Sequence, residues 1–297
     1  MKYDNYKVTR DFSDARLDRW IKYHYKKFRQ SDIEVALRKK KIRINNKKIK
    51  SNYRLQLFDL VSIAIEFRSL REEKNKIFSM ENKKEINNMI IFQDDELLVL
   101  NKPSGIAVQG GTKITKNIDN LLRTSFKSTE TKLVHRLDKE TSGVLIVALN
   151  RNIANYISLL FREKKIIKTY WSLNTGKFKK GKGVINKKIK KKNSNYYYTA
   201  LTEYNNYMKI NNNLNFFIFK PITGRNHQIR IHSKYLGIPV LGDKKYGFEE
   251  NDEKLHLHSR SIEFNHPNGN RMFFKADLPK HMSEKWEKYK LPYDVTI

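Results

Sequence analysis

HRLDKETSGVLIVAL, residues 135–149, opens on crowded charges and closes on an almost unbroken apolar run. Asp138 stands two residues after Arg136 and directly before Lys139. The run GVLIVAL at 143–149 reads as a buried strand. A carboxylate among cations at the lip of its own core has two readings. It is a salt-bridged loop end, or it is the working group of an active site. A close cation keeps such a group ionised, and an ionised, positioned carboxylate serves as nucleophile or general base. Taken alone, the segment favours a structural salt bridge.

The composition narrows the partners. Across 297 residues there are 61 Lys+Arg against 31 Asp+Glu, a formal net charge of +30. Such a field carries a self-repulsion that a polyanion relieves, and nucleic acid is the first candidate. An A+T-biased genome explains lysine replacing arginine more readily than cations outnumbering anions two to one. Cysteine is absent, which excludes disulfides and thiolate metal sites and fits a reducing cytoplasm. The opening MKYDNYKVTRDFSDARLDRW lacks the apolar core of a secretory signal, and no stretch approaches the ~18 apolar residues that cross a bilayer.

Around the opening motif the chain divides. Residues 14–66 read as a small basic unit. DARLDRWIKYHY places Leu17, Trp20, Ile21 and Tyr25 at helical spacing with Ser13 as N-cap. SDIE at 31–34 is a capping-box pattern opening a second helix through Leu37. An Asn45-Asn46 turn separates short strand-like pieces, and Val61, Ile63 and Ile65 alternate as in a half-buried strand. Residues 1–68 hold 19 Lys/Arg against 8 Asp/Glu. Residues 67–88 read as a charged linker, and 89–297 as a mixture of short strands and a few helices. Among these, ELLVLNKPSG is a strand stopped by Pro103, and NIANYISLLFREKK (152–165) is an amphipathic helix. KFKKGKGVINKKIKKK, residues 177–192, contains nine lysines; Val184 and Ile185 within it suggest a solvent-facing hairpin.

Two further motifs carry chemistry. PITGRNHQIRIH (221–232) gathers Arg225, His227, Gln228, Arg230 and His232. Read as a strand, it puts Gln228, Arg230 and His232 on one face and Ile229 and Ile231 on the other. A row of donors suits an anionic or RNA ligand; a decorated sheet edge suits the pattern equally. His227 with His232, and His256 with His258, lack a third ligand, which argues against metal. KTYW at 168–171 sets a cation beside aromatics that either stack on a base or fill the core. LGDKKYG at 241–247 reads as a structural turn.

In this order, NKPSG (101–105), HRLDKETSG (135–143), KTY (168–170), ITGRNHQIRIH (222–232) and GDKKYG (242–247) resemble the RluA-type pseudouridine synthases, and the pairing of HRLD with GRNHQIRIH is the specific part. The N-terminal unit looks like an S4 RNA-binding domain (αL motif), and the combination is most similar to the RluC-like group acting on 23S rRNA. The resemblance implies an α+β fold, a mixed and largely antiparallel sheet with flanking helices. It also implies isomerisation of uridine to pseudouridine without cofactor or metal. On this reading Asp138 is the catalytic aspartate, Tyr170 stacks on the uracil and assists proton removal at C5, and Arg230, preceded by Ile229, is the salt-bridge partner of Asp138. Arg136 fills the space the uracil vacates or holds phosphate. Arg225, His227 and Gln228 contact RNA, while Arg16, Arg38, Lys40, Lys41, Arg43 and Lys50 dock phosphates from the S4 unit. The implied partner is 23S rRNA or a pre-50S particle, met by a cytoplasmic monomer with no membrane contact. The alternatives are a tRNA pseudouridine synthase and a non-catalytic RNA-binding ribosome-assembly factor.

Overall fold

The computed structural model describes residues 2–25, 28, 30–65, 80–110, 116–126, 131–179, 181–191, 194–247 and 252–295. Its contacts group into two compact units, Met1–Met80 and Glu81–Ile297. Most of the expected linker, residues 67–79, lies outside the described residues.

In the first unit β1 (Tyr3–Lys7), β2 (Ile42–Ile44) and β3 (Leu60–Ala64) form an antiparallel sheet in the order β1-β3-β2. The helices α1 (Leu17–His24) and α2 (Gln30–Arg38) supply Leu17, Trp20, Ile21, Ile33 and Leu37 to a shared core with Ile42, Ile44, Val61 and Ile63. The unit therefore begins before residue 14. Strand β1 is polar enough to escape an apolar scan, yet Tyr6 packs its ring 5.8 Å from Trp20. Asn45 and Asn46 both take the left-handed conformation, at φ 48° and 60°, which their short polar side chains tolerate. The Asn45 side chain ties the turn down, donating to Asp59 and accepting from the Leu60 amide.

Three local expectations fail here. Ser13 does not cap α1, which starts four residues later behind an extended Arg16. Ser31 lies inside α2, and the Glu34 carboxylate accepts from Ser51 and Gln30 instead of closing a capping box. Strand β3 is buried along Val61–Ala64, Ser62 and Ala64 being sealed as well as Val61 and Ile63, and Ile65 lies beyond it, exposed.

The second unit opens with α3, described over residues 80–87, whose Ile86 is buried beside Leu98 and Leu145. The larger unit thus starts several residues before 89. Its strands are β4 (Ile90–Gln93), β5 (Leu97–Lys102), β6 (Lys132–Leu133), β7 (Ser142–Ala148), β8 (Ile167–Thr175) and β9 (Gly181–Asn186). They continue with β10 (Ile189–Lys190), β11 (Tyr197–Tyr198), β12 (Leu201–Asn211), β13 (Leu214–Pro221), β14 (Leu257–Asn265) and β15 (Arg271–Lys275). Ten of them make one sheet, β4-β5-β7-β14-β8-β13-β12-β9, with β15 on β14 and β6 on β7; β10 and β11 pair separately. Among the described residues, every strand pairing is antiparallel except β7 with β14. The fold is α+β with a mixed, mostly antiparallel sheet.

Strand β7 explains the apolar run of the opening motif. Val144, Ile146 and Ala148 pack under α5 (Arg151–Arg162), while Leu145 and Val147 face α4 (Ile118–Ser125) on the other side of the sheet. A strand covered on both faces has no water to meet and shows no alternation; each fully buried Val, Leu or Ile contributes about 1.5–3 kcal/mol. Helix α5 is capped by Asn150, which accepts from the Ile153 amide at 2.9 Å.

The parallel pairing of β7 with β14 is the junction that builds the site. Ser142 registers with His258 and Gly143 with Ser259. Gly143 sits at φ +110°, and a Cβ there would run into the Ser259 carbonyl, so only glycine allows this approach. In consequence the loop carrying Asp138 lies against the strands that carry Tyr170 and Leu257.

Candidate active site

The PITGRNHQIRIH segment is not a strand. His227 turns the chain in the left-handed conformation, φ 54°, and Gln228–Tyr235 form α6. Polar and apolar residues alternate over 228–232, which mimics a strand. Yet Gln228, Ile229, Arg230, His232 and Ser233 are all buried, which a helix wedged against a sheet accommodates.

A cleft of about 650 Å³ is lined by the 134–141 loop, the end of α5, Lys168 and Tyr170 of β8, the 221–227 loop, α6 and Leu257. It brings Asp138, Tyr170, Arg230, Arg136, Ile229, Arg225, His227 and Gln228 to one place, across a sequence separation that the β7–β14 junction closes.

The loop bearing Asp138 is clamped from below. Leu137 is buried in the core. Lys102 of NKPSG, wholly buried, donates from Nζ to the carbonyls of Pro103, Ile106 and Lys139 at 2.8–3.1 Å. The Ser104 hydroxyl donates to the Glu140 carbonyl, and the Gly105 amide to that of Lys139. Burial lowers the Lys102 ammonium to about 7, against the opposing pull of Glu140 and Asp138. His135 holds the other end of the loop. Its Nε2 accepts from the Ile146 amide at 2.8 Å and its ring stacks on Phe161. Burial, with a smaller contribution from Lys168, pushes His135 down to about 3, so it is a neutral acceptor and not an acid.

Asp138 is about one-fifth exposed and turns into the cleft, with His227 Nε2 3.9 Å from Oδ1. Burial holds His227 below its ordinary value, against the field of Asp138, and its Nδ1 pairs with the Tyr246 hydroxyl at 3.0 Å. Arg230 is not the salt-bridge partner of Asp138. Its guanidinium grips Asp243 through two bonds, Nε–Oδ2 2.7 Å and Nη2–Oδ1 2.6 Å, and both side chains are nearly sealed from water. Burial would raise the Asp243 carboxyl, but the Arg230 guanidinium and the amides of Tyr246 and Lys245 hold it below its usual range. The segment read as a simple turn, LGDKKYG, therefore supplies the counter-ion. The Asp138 charge still acts on Arg230 through space.

Tyr170 faces the cleft while its neighbour Trp171 turns to the core and stacks on Trp286 at 5.8 Å, an alternation that β8 enforces. Burial pushes the Tyr170 phenol up to about 12, with Ser259 opposing and Asp138 adding. Gln228 has no free group for RNA. Its Oε1 accepts from the Thr223 hydroxyl and the Arg225 amide, and its Nε2 donates to the Leu201 carbonyl and Thr202 hydroxyl, so it shapes the 223–225 turn. Arg225 is exposed and Arg136 is exposed, both on the rim, and Ile229 is buried at the floor. His232 pairs with Thr202 and the Lys187 carbonyl, and His258 with Ser142 and the Ala276 carbonyl; those rings are committed within the fold.

In the first unit Arg16, Arg38 and Lys50 border one depression together with Lys48, although Arg16 is also paired to Asp18 at 2.7 Å. Lys40 and Lys41 lie on the turn between α2 and β2, and Arg43, within β2, donates to the Lys40 carbonyl and stacks over Tyr3.

Residues 96–235 match the profile of a family described as RNA pseudouridylate synthase. The chain is similar to the ribosomal large subunit pseudouridine synthase C of Rickettsia conorii, 37% identical over 267 residues that cover 84% of this chain and 88% of that protein. Its counterpart in Rickettsia felis is 35% identical over 292 residues, covering 92% and 96%. The Vibrio parahaemolyticus protein of the same name is 33% identical over 307 residues, covering 95% and 93%. Among solved structures, human RNA pseudouridylate synthase domain containing 4 shares the fold, with a TM-score of 0.62 and 23% identity over 72% of this chain and 98% of that one.

Proposed function

The chain belongs to the RNA pseudouridylate synthases, and from that premise we propose that it isomerises specific uridines in 23S rRNA with Asp138 as the working carboxylate. The observation that carries the assignment of the residue is the clamp. Two loops and a buried lysine hold Asp138 at the mouth of a cleft rimmed by Arg136, Arg162, Lys164, Lys168 and Arg225. The names of the relatives support the large-subunit target.

In the reaction the N1–C1′ bond breaks, the uracil turns, C5 bonds to C1′, and the hydrogen leaving C5 is balanced by one gained at N1. The base must leave its stack to reach Asp138, and Tyr170 and Ile229 offer it a flat and an apolar wall. Rim cations hold the flanking phosphates. Arg230 acts through its ion pair with Asp243, which fixes α6 and its position beside Asp138 without neutralising the carboxylate. Burial favours the neutral phenol of Tyr170 over the phenolate, so its part in this reading is to stack on the base. A phenolate base would make the rate rise tenfold per pH unit toward 12, because its active form accumulates as protons are lost. Between pH 7 and 10 the single-turnover rate is expected to show no such rise.

The first unit is proposed to be an S4-type module docking the rRNA through Arg16, Arg38, Lys40, Lys41, Arg43 and Lys50, on rRNA alone or in a pre-50S particle. Purified protein incubated with unmodified transcripts of 23S rRNA and of tRNA tests the target. Pseudouridine is expected in 23S rRNA; formation in tRNA alone would select the tRNA reading, and formation in neither would remove the activity.

A further inference from the structure

The uridine chemistry leaves one surface unused. Downstream of the lysine-rich stretch, three consecutive tyrosines, Tyr196, Tyr197 and Tyr198, are 77%, 59% and 39% exposed. A row of solvent-facing aromatics marks a contact surface more often than a fold requirement. They lie on a small antiparallel ladder in which Ile189 registers with Tyr198 and Lys190 with Tyr197, extended by the Lys191 amide bonding to the Tyr196 carbonyl. Ile189 is the buried anchor. By alternation Tyr196 and Tyr198 share its face with Lys191, while Tyr197 and Lys190 take the other.

This ladder is joined to the cleft. The Arg225 guanidinium lies 4.9 Å from the Tyr198 ring centre and donates to the Thr199 carbonyl, and Arg225 is on the cleft rim. On the other side, the Lys187 carbonyl accepts from His232 of α6, and Lys187 Nζ sits 4.7 Å over Tyr235. The base of the ladder is thus tied to the helix that carries Arg230. Lys187, Lys188, Lys190 and Lys191 are exposed, and among the described residues none forms an ion pair. Aromatic faces interleaved with unpaired cations match a strand whose bases are free to stack and whose phosphates need neutralising. A duplex hides its base faces, so the tyrosines would be idle against one.

We propose that the ladder of residues 189–191 and 196–198, with Arg225, binds unpaired RNA flanking the target nucleotide, stacking bases on Tyr196 on one face and Tyr197 on the other and taking phosphates on the four lysines. This rests on the reading of the protein as an RNA-modifying enzyme and adds a preference for single-stranded context.

The test uses the full chain and a fluorescent 20-nucleotide single-stranded RNA, alone and annealed to its complement. The Tyr196→Ala/Tyr197→Ala protein is expected to bind the single strand about tenfold or more weakly, with duplex binding and the salt slope unchanged. Tyr196→Phe/Tyr197→Phe should match the wild type, since the ring and not the hydroxyl is used. Lys188→Ala/Lys190→Ala should instead lower the salt slope by about 1.4. Wild-type affinity of the Ala pair for the single strand overturns the inference, as does equal loss on the duplex or loss in the Phe pair. Wild-type pseudouridine formation on 23S rRNA is scored separately. If it is present while the Ala pair binds normally, only the ladder assignment falls; if it is absent while the Ala pair binds weakly, only the enzymatic reading falls.

Discussion

Asp138→Asn is expected to lower pseudouridine formation by at least ~10³-fold while leaving folding and RNA affinity near wild type. The amide is isosteric, so the clamp survives. Lys102 reaches the carbonyls of Pro103, Ile106 and Lys139, and Thr141 bonds to the Asp138 main-chain carbonyl; none of these contacts involves the side chain that changes. What the substitution removes is the charge that attacks or abstracts, together with its field on Tyr170, His227 and Arg230. Pseudouridine quantified by chemical mapping, beside filter binding and circular dichroism on the same preparation, separates chemistry from structure. Product at the wild-type rate would show that another group does the work.

The second large effect is on stability. Asp243→Asn should destabilise the larger unit by about 3–5 kcal/mol, because it leaves the Arg230 guanidinium buried without its counter-ion. For a unit of this size that corresponds to a fall in Tm of roughly 10 °C or more. Activity should fall as well. With Asp243 neutralised, Asp138 is the other carboxylate whose field reaches Arg230, so the guanidinium is drawn toward the group that must stay free. Removing both charges while keeping an acceptor for the Lys245 and Tyr246 amides, Arg230→Met with Asp243→Asn, is expected to recover most of the Tm and none of the activity. Calorimetry and single-turnover assays on the single and double variants check this. An Asp243→Asn protein with wild-type Tm and rate would mean that the ion pair is idle.

Much of the architecture was legible in sequence where one physical cause dominated locally. The unbroken GVLIVAL run reported a buried strand and the Asn45-Asn46 pair reported a turn, whereas KTYW left open which aromatic meets the cleft and which the core. The gathering of Asp138, Tyr170 and Arg230 in one cleft followed from motif resemblance, since no local pattern specifies the parallel junction at Gly143 that brings them together.

The failures share a cause: tertiary partners outbid local pattern. Alternation over 228–232 suggested a strand, but the left-handed His227 and the burial of nearly every inward position made a helix. Gln228 looked like an RNA contact, and its amide is consumed by the fold. The counter-ion of Arg230 came from a turn 13 residues on, where Asp243 among lysines gave no sign of being buried. The one signal that was available, a lone acid in a Gly-bounded turn of LGDKKYG, is a feature many surface turns share. Lys102 was visible only within the NKPSG motif, before a strand-ending proline, and its role as the clamp depends on a carbonyl 37 positions away.

The central claim is tested most directly by mapping pseudouridine across 23S rRNA in cells of the source organism that lack this gene, complemented with either the wild type or Asp138→Asn. Specific 23S positions should appear as uridine in the deletion strain, return to pseudouridine with the wild type, and stay as uridine with Asp138→Asn. An unchanged 23S map in the deletion strain, or restoration by Asp138→Asn, would contradict the account.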